Sequence, residues 1–287
     1  MSMPIQSAER PAKTTAVLSG RELARGSGFA VSDVHCHACR GAWSDVEAAD
    51  GYLLILVRRG VFRRRVNGAE TVVDASVLCF REPGDEQQVA HPLDGGDACT
   101  SIQLDDSLVA SVWGGDPTGL PNLLFSGPAL DLAHRLLLGA CVARGAAFEA
   151  EERVHRLVAA ALRQHDPLRV ESGRPSSAAL RRKLVGDARE LLATEPTRTV
   201  RELARRLAVS PHHLSRIFSA ATGASLSVYR NRLRVRRALE QIAAGEDSLT
   251  RLAAELGFAD QAHMTRTIRS ETGFTPLALR PLLGGSD

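Results

Sequence analysis

The chain has 287 residues, of which 44% are apolar and 24% are charged, and this composition is typical of soluble globular proteins. Its length predicts about two domains. The five cysteines have no regular spacing, which excludes a disulfide framework. No apolar run approaches the roughly 18 residues of a membrane-spanning helix, and the polar first residues lack the apolar core of a signal peptide. We therefore expect a cytoplasmic protein with no membrane segment.

The charge is divided unevenly along the chain. Residues 171–287 contain 19 basic and 12 acidic residues, a net charge of +7, whereas residues 1–170 contain 17 basic and 21 acidic residues, a net charge of −4. This asymmetry indicates a basic module that meets a polyanion, joined to a mildly acidic module. Well-solvated arginine-rich helices would give the same count, so charge alone leaves both interpretations open.

In chain order, residues 1–28 are polar, and we expect a loose N-terminal segment there. Residues 29–115 then show short β-like runs, interrupted by turn signals at Arg59-Gly60, Asn67-Gly68, Pro83-Gly84 and Asp94-Gly95-Gly96. The runs are Tyr52–Val57, Val61–Val66, Ser76–Phe80 and Thr100–Leu104. This pattern predicts an antiparallel sandwich or barrel.

The pattern changes to helix after Pro121. Within a helical dimerisation or linker region at residues 121–165, amphipathic helices are predicted over residues 129–142 and 151–165. Residues 166–177 are rich in Pro, Gly and Ser and are assigned as a linker. Residues 178–283 are predicted to form an all-α domain.

Residues 199–223 and 248–273 form an internal repeat. Leu203, Ala204 and Leu207 recur 49 positions later, and Ser215, Arg216, Thr222 and Gly223 recur 50 positions later. The offset changes by one in a turn, where an insertion is tolerated. The two copies therefore predict the same local structure at two places in the chain.

The residues of each copy fit two short helices joined by a tight turn. Thr199 and Glu202 have the spacing of a capping box for the first helix, and Ser210 is placed to cap the second, with Pro211 at its first position. In the second copy the turn falls at Gly257 and the cap at Asp260. Two helices of this kind, with polar donors on the second, form a helix-turn-helix unit.

A long helix is predicted between the two copies, from Leu226 to Ala244, ending at Gly245. Its length of about 28 Å is close to the roughly 34 Å between successive major-groove faces of a duplex. Such a spacer would let both second helices read one side of the same DNA.

At this point the sequence resembles the AraC/XylS family of transcription regulators over about residues 180–283. The resemblance rests on Leu214-Ser215-Arg216-Ile217-Phe218, on Tyr229 followed by Arg232-Leu233-Arg234, on residues 255–261 (ELGFADQ), and on residues 272–276 (TGFTP). It implies a seven-helix DNA-binding domain with two helix-turn-helix units joined by a long helix. Ala262 departs from the family, which usually has Ser there, and this leaves the base preference of the second unit open.

The family often carries a cupin-like sensor barrel before this domain, followed by helices that dimerise, and residues 29–115 look similar to such a barrel. The fold class is therefore α+β: a cupin-like antiparallel β-barrel with following helices, then an all-α domain with two helix-turn-helix units. The resemblance implies promoter DNA as a partner, RNA polymerase if the protein is an activator, and a homodimer.

The candidate DNA contacts fall into three groups. In the first unit they are His212, His213, Ser215 and Arg216; in the second they are Gln261, His263, Thr265 and Arg266; on the long helix they are Arg232, Arg236 and Arg237. Gln suits adenine and Arg suits guanine. The candidate readers of base edges are His212, Ser215 and Arg216 in the first unit and Gln261, Thr265 and Arg266 in the second. The long-helix arginines are candidate phosphate contacts if they are exposed, and an ordinary solvated helix face is the alternative interpretation.

What the N-terminal domain senses is left open between an organic effector and a metal or oxidant. Trp43, Tyr52, Phe62, Phe80 and His91 are candidates for lining an effector pocket, and Trp113 is a further aromatic candidate, although aromatic residues in this setting are more often core. His35, Cys36, His37, Cys39 and Cys99 are soft ligands that would suit zinc or copper. On a strand, however, His35 and His37 share one face and Cys36 points to the other, so ordinary strand residues are the simpler interpretation. No cofactor follows from these residues with certainty; a small-molecule effector is the candidate ligand.

The sequence thus predicts a sequence-specific transcription regulator, modulated at its N-terminal domain, rather than an enzyme. A thiol- or metal-responsive regulator and a cupin enzyme fused to a DNA-binding module are the alternatives. The His-x-His and Glu ligand set of catalytic cupins is absent. So is the four-cysteine arrangement of DNA-repair methyl acceptors that carry the same helical module.

Overall fold

The computed structural model describes residues 17–37, 41, 43–92, 94–113, 122–142, 147–163 and 175–283. An N-terminal β-domain is followed by helices and then by an all-α domain, which confirms the predicted fold class. Among the described residues, no helix is long and apolar enough to cross a membrane.

The larger sheet of the β-domain has six antiparallel strands in the order β1-β2-β9-β4-β7-β10. Their bounds are β1 Val17–Gly26, β2 Phe29–His37, β4 Tyr52–Arg59, β7 Val77–Arg81, β9 Asp97–Leu104 and β10 Leu123–Phe125. The expectation of a loose segment over residues 1–28 is wrong for residues 17–26, because this stretch pairs with β2 along its length. Residues 1–16 lie outside the described residues.

The smaller sheet has four strands in the order β3-β8-β5-β6. Their bounds are β3 Glu47–Ala48, β5 Val61–Val66, β6 Ala69–Asp74 and β8 Glu86–Ala90. The predicted Asn67-Gly68 turn joins β5 to β6, and both residues have a positive φ, 46° and 83°. That is the backbone of a type I′ hairpin, which matches the twist of the two strands.

Three helices cover the larger sheet and complete its core. They are α1 Asp106–Trp113, α2 Pro128–Val142 and α3 Ala147–Arg163. Buried residues of α3, among them Val154, Leu157 and Val158, join Leu54 and Ile102 of the sheet in one apolar cluster. The apolar face of α3 therefore has its partner within the chain.

The C-terminal domain contains seven helices within residues 175–283, as the family resemblance implies. They are α4 Pro175–Thr194, α5 Val200–Arg206, α6 Pro211–Thr222, α7 Leu226–Ala243, α8 Leu249–Glu255, α9 Gln261–Thr272 and α10 Pro276–Leu283. Helix α4 begins inside the expected 166–177 linker, of which residues 166–174 lie outside the described residues. One apolar cluster holds α4, α5, α6 and the start of α7, and a second holds the end of α7, α8, α9 and α10.

Helix α2 packs against both domains. Leu130 and Leu137 belong to the core of the β-domain, whereas Leu132 and Leu136 pack against the second helical cluster. At Gly139 an added Cβ would lie only 2.5 Å from the carbonyl oxygen of Leu282 in α10. Both faces of α2 are thus covered within one chain, so they do not require a second copy, and the homodimer stays a prediction.

A buried polar cluster also joins the domains, and we call it the interdomain network: Asp74, Ser76, Arg189 and Tyr229. The Tyr229 hydroxyl donates to Oδ2 of Asp74 at 2.5 Å, and Nε of Arg189 donates to the same hydroxyl at 2.9 Å. The Ser76 hydroxyl lies 2.6 Å from the Tyr229 oxygen. Asp74 and Ser76 come from the β-domain, Arg189 from α4 and Tyr229 from α7. Because all four are buried, they form a specific contact between the domains.

Candidate nucleic-acid interface

The first helix pair, α5 and α6, is built as the sequence predicts. The hydroxyl oxygen of Thr199 accepts from the amide of Glu202 at 3.3 Å, and the Glu202 carboxylate accepts from the amide of Thr199 at 2.8 Å, completing the capping box. Ser210 caps α6 by accepting from the amide of His213 at 3.2 Å, and Pro211 takes the first helical position. These caps satisfy backbone donors that a helix of this length would otherwise leave open.

The second pair, α8 and α9, repeats the plan. Ser248 caps α8, and Asp260 caps α9 by accepting from the amide of His263 at 2.6 Å. The turn between the helices has Gly257 at φ 70°, and the matching position of the first pair has Ala208 at φ 55°. Both turns therefore use a left-handed residue, although one of them is not glycine.

On α6, three of the four candidate residues face solvent. His212, His213 and Arg216 are exposed and Ser215 is half-buried, while the opposite face is buried in the domain core. Within the described ranges, Arg216 has no hydrogen-bond or ion-pair partner. Its guanidinium is therefore free of competing contacts with those residues.

On α9, Gln261 and Arg266 are exposed, and His263 and Thr265 are half-buried. The Gln261 side-chain oxygen accepts from the hydroxyl of Thr250 at 2.8 Å, which fixes its orientation. The His263 ring packs edge-on against Phe258 and accepts from the backbone at its Nδ1, so it serves the structure of the turn. Arg266 matches Arg216 in the repeat and, in the part of the chain that the structure describes, likewise has no polar partner.

One of the three candidate phosphate contacts on α7 is wrong, and a second donates to backbone carbonyl groups. Arg236 is 2% exposed, and its guanidinium donates to the carboxylate of Asp131 and to the carbonyl of Ser126. Arg237 donates to the carbonyl oxygens that end α4, and burial lowers the pKa of its guanidinium. Arg232 is partly exposed and lies 3.5 Å from Glu271. The condition of exposure fails for Arg236 and is only partly met by the other two.

Other exposed arginines were not among the predicted contacts. Arg205 and Arg206 end α5, and Arg269 lies three residues beyond Arg266 on the exposed side of α9. Among the described residues none of the three has a hydrogen-bond or ion-pair partner for its side chain. The helical period alone would have placed Arg269 beside Arg266 on one face.

The aromatic residues expected to line an effector pocket do not form one together. Tyr52 and Phe80 are buried in the main core of the β-domain, Phe62 lies in a separate core cluster, and Trp43 stacks under the guanidinium of Arg65. Within the described residues, an open polar cleft lies at the other end of the strands, lined in part by Arg25, Asp50, Gln103 and Asp105. None of the five predicted pocket residues lines it: Tyr52, Phe62, Phe80 and His91 are buried in the interior, and Trp43 is covered by Arg65.

The Cys/His cluster divides as strand geometry predicts. His35 and His37 share one face with ring centroids 6.3 Å apart, and Cys36 points to the interior. His35 lies 3.1 Å from Asp33, and Cys39 lies outside the described residues. Cys36 instead meets His91 and Asp97, of which Asp97 was not predicted.

Comparison with known proteins supports the helical domain. A family model described as a helix-turn-helix domain matches residues 203–281. An HTH-type transcriptional regulator of Mycobacterium tuberculosis is 35% identical over 75 residues, covering 26% of this chain and 29% of that protein. The transcriptional activator RhaS of Escherichia fergusonii is 36% identical over 78 residues, 27% of this chain and 28% of that one.

The bifunctional transcriptional activator and DNA repair enzyme Ada of Escherichia coli is 36% identical over 90 residues, 31% of this chain and 25% of Ada. The chain thus matches less than a third of the length of each relative. The range matched by the family model, residues 203–281, covers the end of α5 and all of α6, α8 and α9. The C-terminal part of this chain, residues 203–281, is a helix-turn-helix domain.

Proposed function

We propose that this protein is a sequence-specific DNA-binding transcription regulator whose DNA binding or activation responds to an effector at the β-domain. The observation that carries the proposal is the pair Arg216 and Arg266. They occupy equivalent places on α6 and α9, both are exposed, and neither has a polar partner among the described residues. An arginine that no protein group engages can donate two hydrogen bonds to the edge of guanine.

The surroundings of these residues support DNA as the ligand. Residues 171–287 carry a net charge of +7, which favours association with a polyanion. Gln261 lies at the start of α9 with its oxygen already engaged by Thr250, which leaves the side-chain amide free to donate. Recognition helices of this motif place their first turns in the major groove, where Gln261 and His212 would lie.

Regulation through the β-domain is supported by the interface between the domains. Asp74, Asp131 and Arg58 of the N-terminal part engage Tyr229, Arg236 and Glu240, which all lie on α7 between the two helix pairs. A ligand that alters the β-domain would therefore act on the helix that sets the spacing of α6 and α9. Activation through RNA polymerase, assembly as a homodimer and a cytoplasmic location belong to the same proposal.

The experiment is selection of duplex DNA from a random library by the full chain, at one stated salt concentration. We expect a bipartite motif with two half-elements about one helical turn apart. Failure to enrich any sequence, with and without cell extract as an effector source, would contradict the proposal.

A variant pair then separates base reading from charge. Arg266→Ala should weaken binding to the selected site by about 1–3 kcal/mol while leaving random DNA nearly unchanged. Arg182→Ala removes an equally exposed charge from α4 of the same domain and serves as the control. Equal losses on selected and random DNA would reduce Arg266 to a phosphate contact.

A further inference from the structure

A group of metal-ligating side chains lies inside the β-domain, apart from the DNA-binding face. Among the described residues, Sγ of Cys36, a ring nitrogen of His91 and a carboxylate oxygen of Asp97 all lie within 4.8 Å of one another. The three residues are only 6–7% exposed. A second thiol, that of Cys99, donates to Oδ2 of Asp97 at 2.9 Å.

The fold brings Cys36 together with His91 and Asp97, which are six residues apart and lie far from Cys36 in the sequence. Cys36 on β2 is directly opposite Asp97 on β9, and Cys99 lies two residues further along the same face of β9. His91 follows β8 of the other sheet, and its Nε2 lies 2.5 Å from Oδ1 of Asp97. The group therefore spans the two sheets.

The backbone beside the group is tightly held. At Gly60 an added Cβ would lie 2.5 Å from the carbonyl oxygen of Gly96 and 2.8 Å from Cα of Asp97. On the other side, the ring of Phe62 packs 6.2 Å from that of His91. The ligand atoms thus lie beside closely packed backbone on one side and an apolar ring on the other. In such surroundings a protein can impose the geometry of a metal site.

The kinds of donor decide which metal fits. A thiolate, an imidazole and a carboxylate are the ligands of zinc sites, at roughly 2.0–2.3 Å from the ion. Tetrahedral ligands at such distances are about 3.3–3.8 Å apart, so the atoms here would have to move by only about 1 Å. Harder cations such as Mg²⁺ avoid thiolate ligands and prefer oxygen.

We propose that Cys36, His91 and Asp97 bind one zinc-class divalent cation between the two sheets, with Cys99 orienting the carboxylate of Asp97. Binding displaces the thiol proton of Cys36 and separates His91 from Asp97, so that both turn toward the ion. The half-buried His35 and the exposed His37 lie on the opposite face of β2 and take no part.

The test uses the full chain, freed of metal by a chelator under reducing conditions and titrated with Co²⁺ and then Zn²⁺. We expect one Co²⁺ per chain, a thiolate-to-cobalt charge-transfer absorption, and displacement by Zn²⁺. Cys36→Ser should abolish that absorption and weaken binding at least about tenfold. The matched control is Cys141→Ser, a half-buried cysteine of α2 outside the group, and it should behave as the unaltered chain.

Two results would overturn the proposal. One is the absence of saturable Co²⁺ binding, and the other is an unchanged absorption in Cys36→Ser, which would place the metal elsewhere. If Cys36→Ser does not fold, the unaltered chain still tests the proposal. Zn²⁺ must raise the thermal midpoint of unfolding of the unaltered chain and Mg²⁺ must not, because only a ligand bound by the native state stabilises that state. DNA binding is measured separately, so failure here leaves the proposed regulator intact.

Discussion

Replacing Tyr229 by Phe removes one hydroxyl from the interdomain network and leaves the ring in place. That hydroxyl donates to Asp74 at 2.5 Å, accepts from Arg189 at 2.9 Å and contacts Ser76 at 2.6 Å. Hydrogen bonds to charged groups each contribute about 1.5–3 kcal/mol. Asp74 keeps Arg189 and Ser76 as partners, so we expect Tyr229→Phe to lower the free energy of unfolding by about 2 kcal/mol.

Two spectroscopic probes can show whether the stability lost in Tyr229→Phe comes from the contact between the domains. Both tryptophans of the chain, Trp43 and Trp113, lie in the N-terminal part, so their fluorescence reports the β-domain, whereas far-UV circular dichroism is dominated by the helices. In urea we expect the two probes to coincide in the unaltered chain and to separate in Tyr229→Phe, because the domains lose part of their coupling.

The matched control is Ser227→Ala, an exposed position on the same helix, which should change neither quantity. A loss below about 0.5 kcal/mol with coincident transitions would refute the reasoning, since a solvated contact between the domains would give that result.

Four further outcomes are expected. Ala208→Gly should change the free energy of unfolding by no more than about 1 kcal/mol, because relief of about 1–2 kcal/mol of left-handed strain is offset by added chain entropy. Gly257→Ala, at the matching turn, should cost about 2 kcal/mol or more in the same urea assay, because its Cβ would lie 2.8 Å from a threonine methyl group. Burial, with cationic guanidinium groups nearby, holds the pKa of His134 well below its ordinary 6.5. Below about pH 6.5 the unfolded chain therefore binds a proton at His134 that the folded chain does not bind. The free energy of unfolding should be at its full value above that pH and should fall on acidification by up to about 1.4 kcal/mol per pH unit. The same slope in His134→Gln would contradict this. Arg236→Ala should destabilise the chain, because it leaves Asp131 buried and unpaired, but should not change the salt dependence of DNA binding, and a slope reduced by about one would restore its role as a phosphate contact.

The helical domain could be predicted in detail because its signals are local. The capping box at Thr199, the caps at Ser210 and Asp260, and the end of the long helix at Ala243, just before Gly245, all depend on residues within one or two turns of each other. The hairpin at Asn67 was predicted for the same reason. Strand β1 was missed because its polar sequence becomes a strand only by pairing with β2.

The candidate sites were harder to predict where they depend on distant partners. The sequence shows that Arg236 lies on a helix, but it does not show that the fold brings Asp131, 105 residues away, into contact with it. Three of the aromatic residues proposed for a pocket, Tyr52, Phe62 and Phe80, instead fill two cores. Asp97 was not predicted as a metal ligand, because only the fold places it next to its strand partner Cys36 and to His91, which follows a strand of the other sheet.

The inward-facing arginines Arg189 of α4 and Arg236 of α7 also bear on how such two-domain chains can be recombined. A helical domain grafted onto a foreign sensor would carry Arg189 and Arg236 without Asp74 and Asp131, and the graft would bury two unmatched positive charges or expose them. Chimeras that transplant these acidic residues together with the helices should express as soluble hybrids, while those cut at the interdomain linker alone should aggregate or bind DNA indiscriminately.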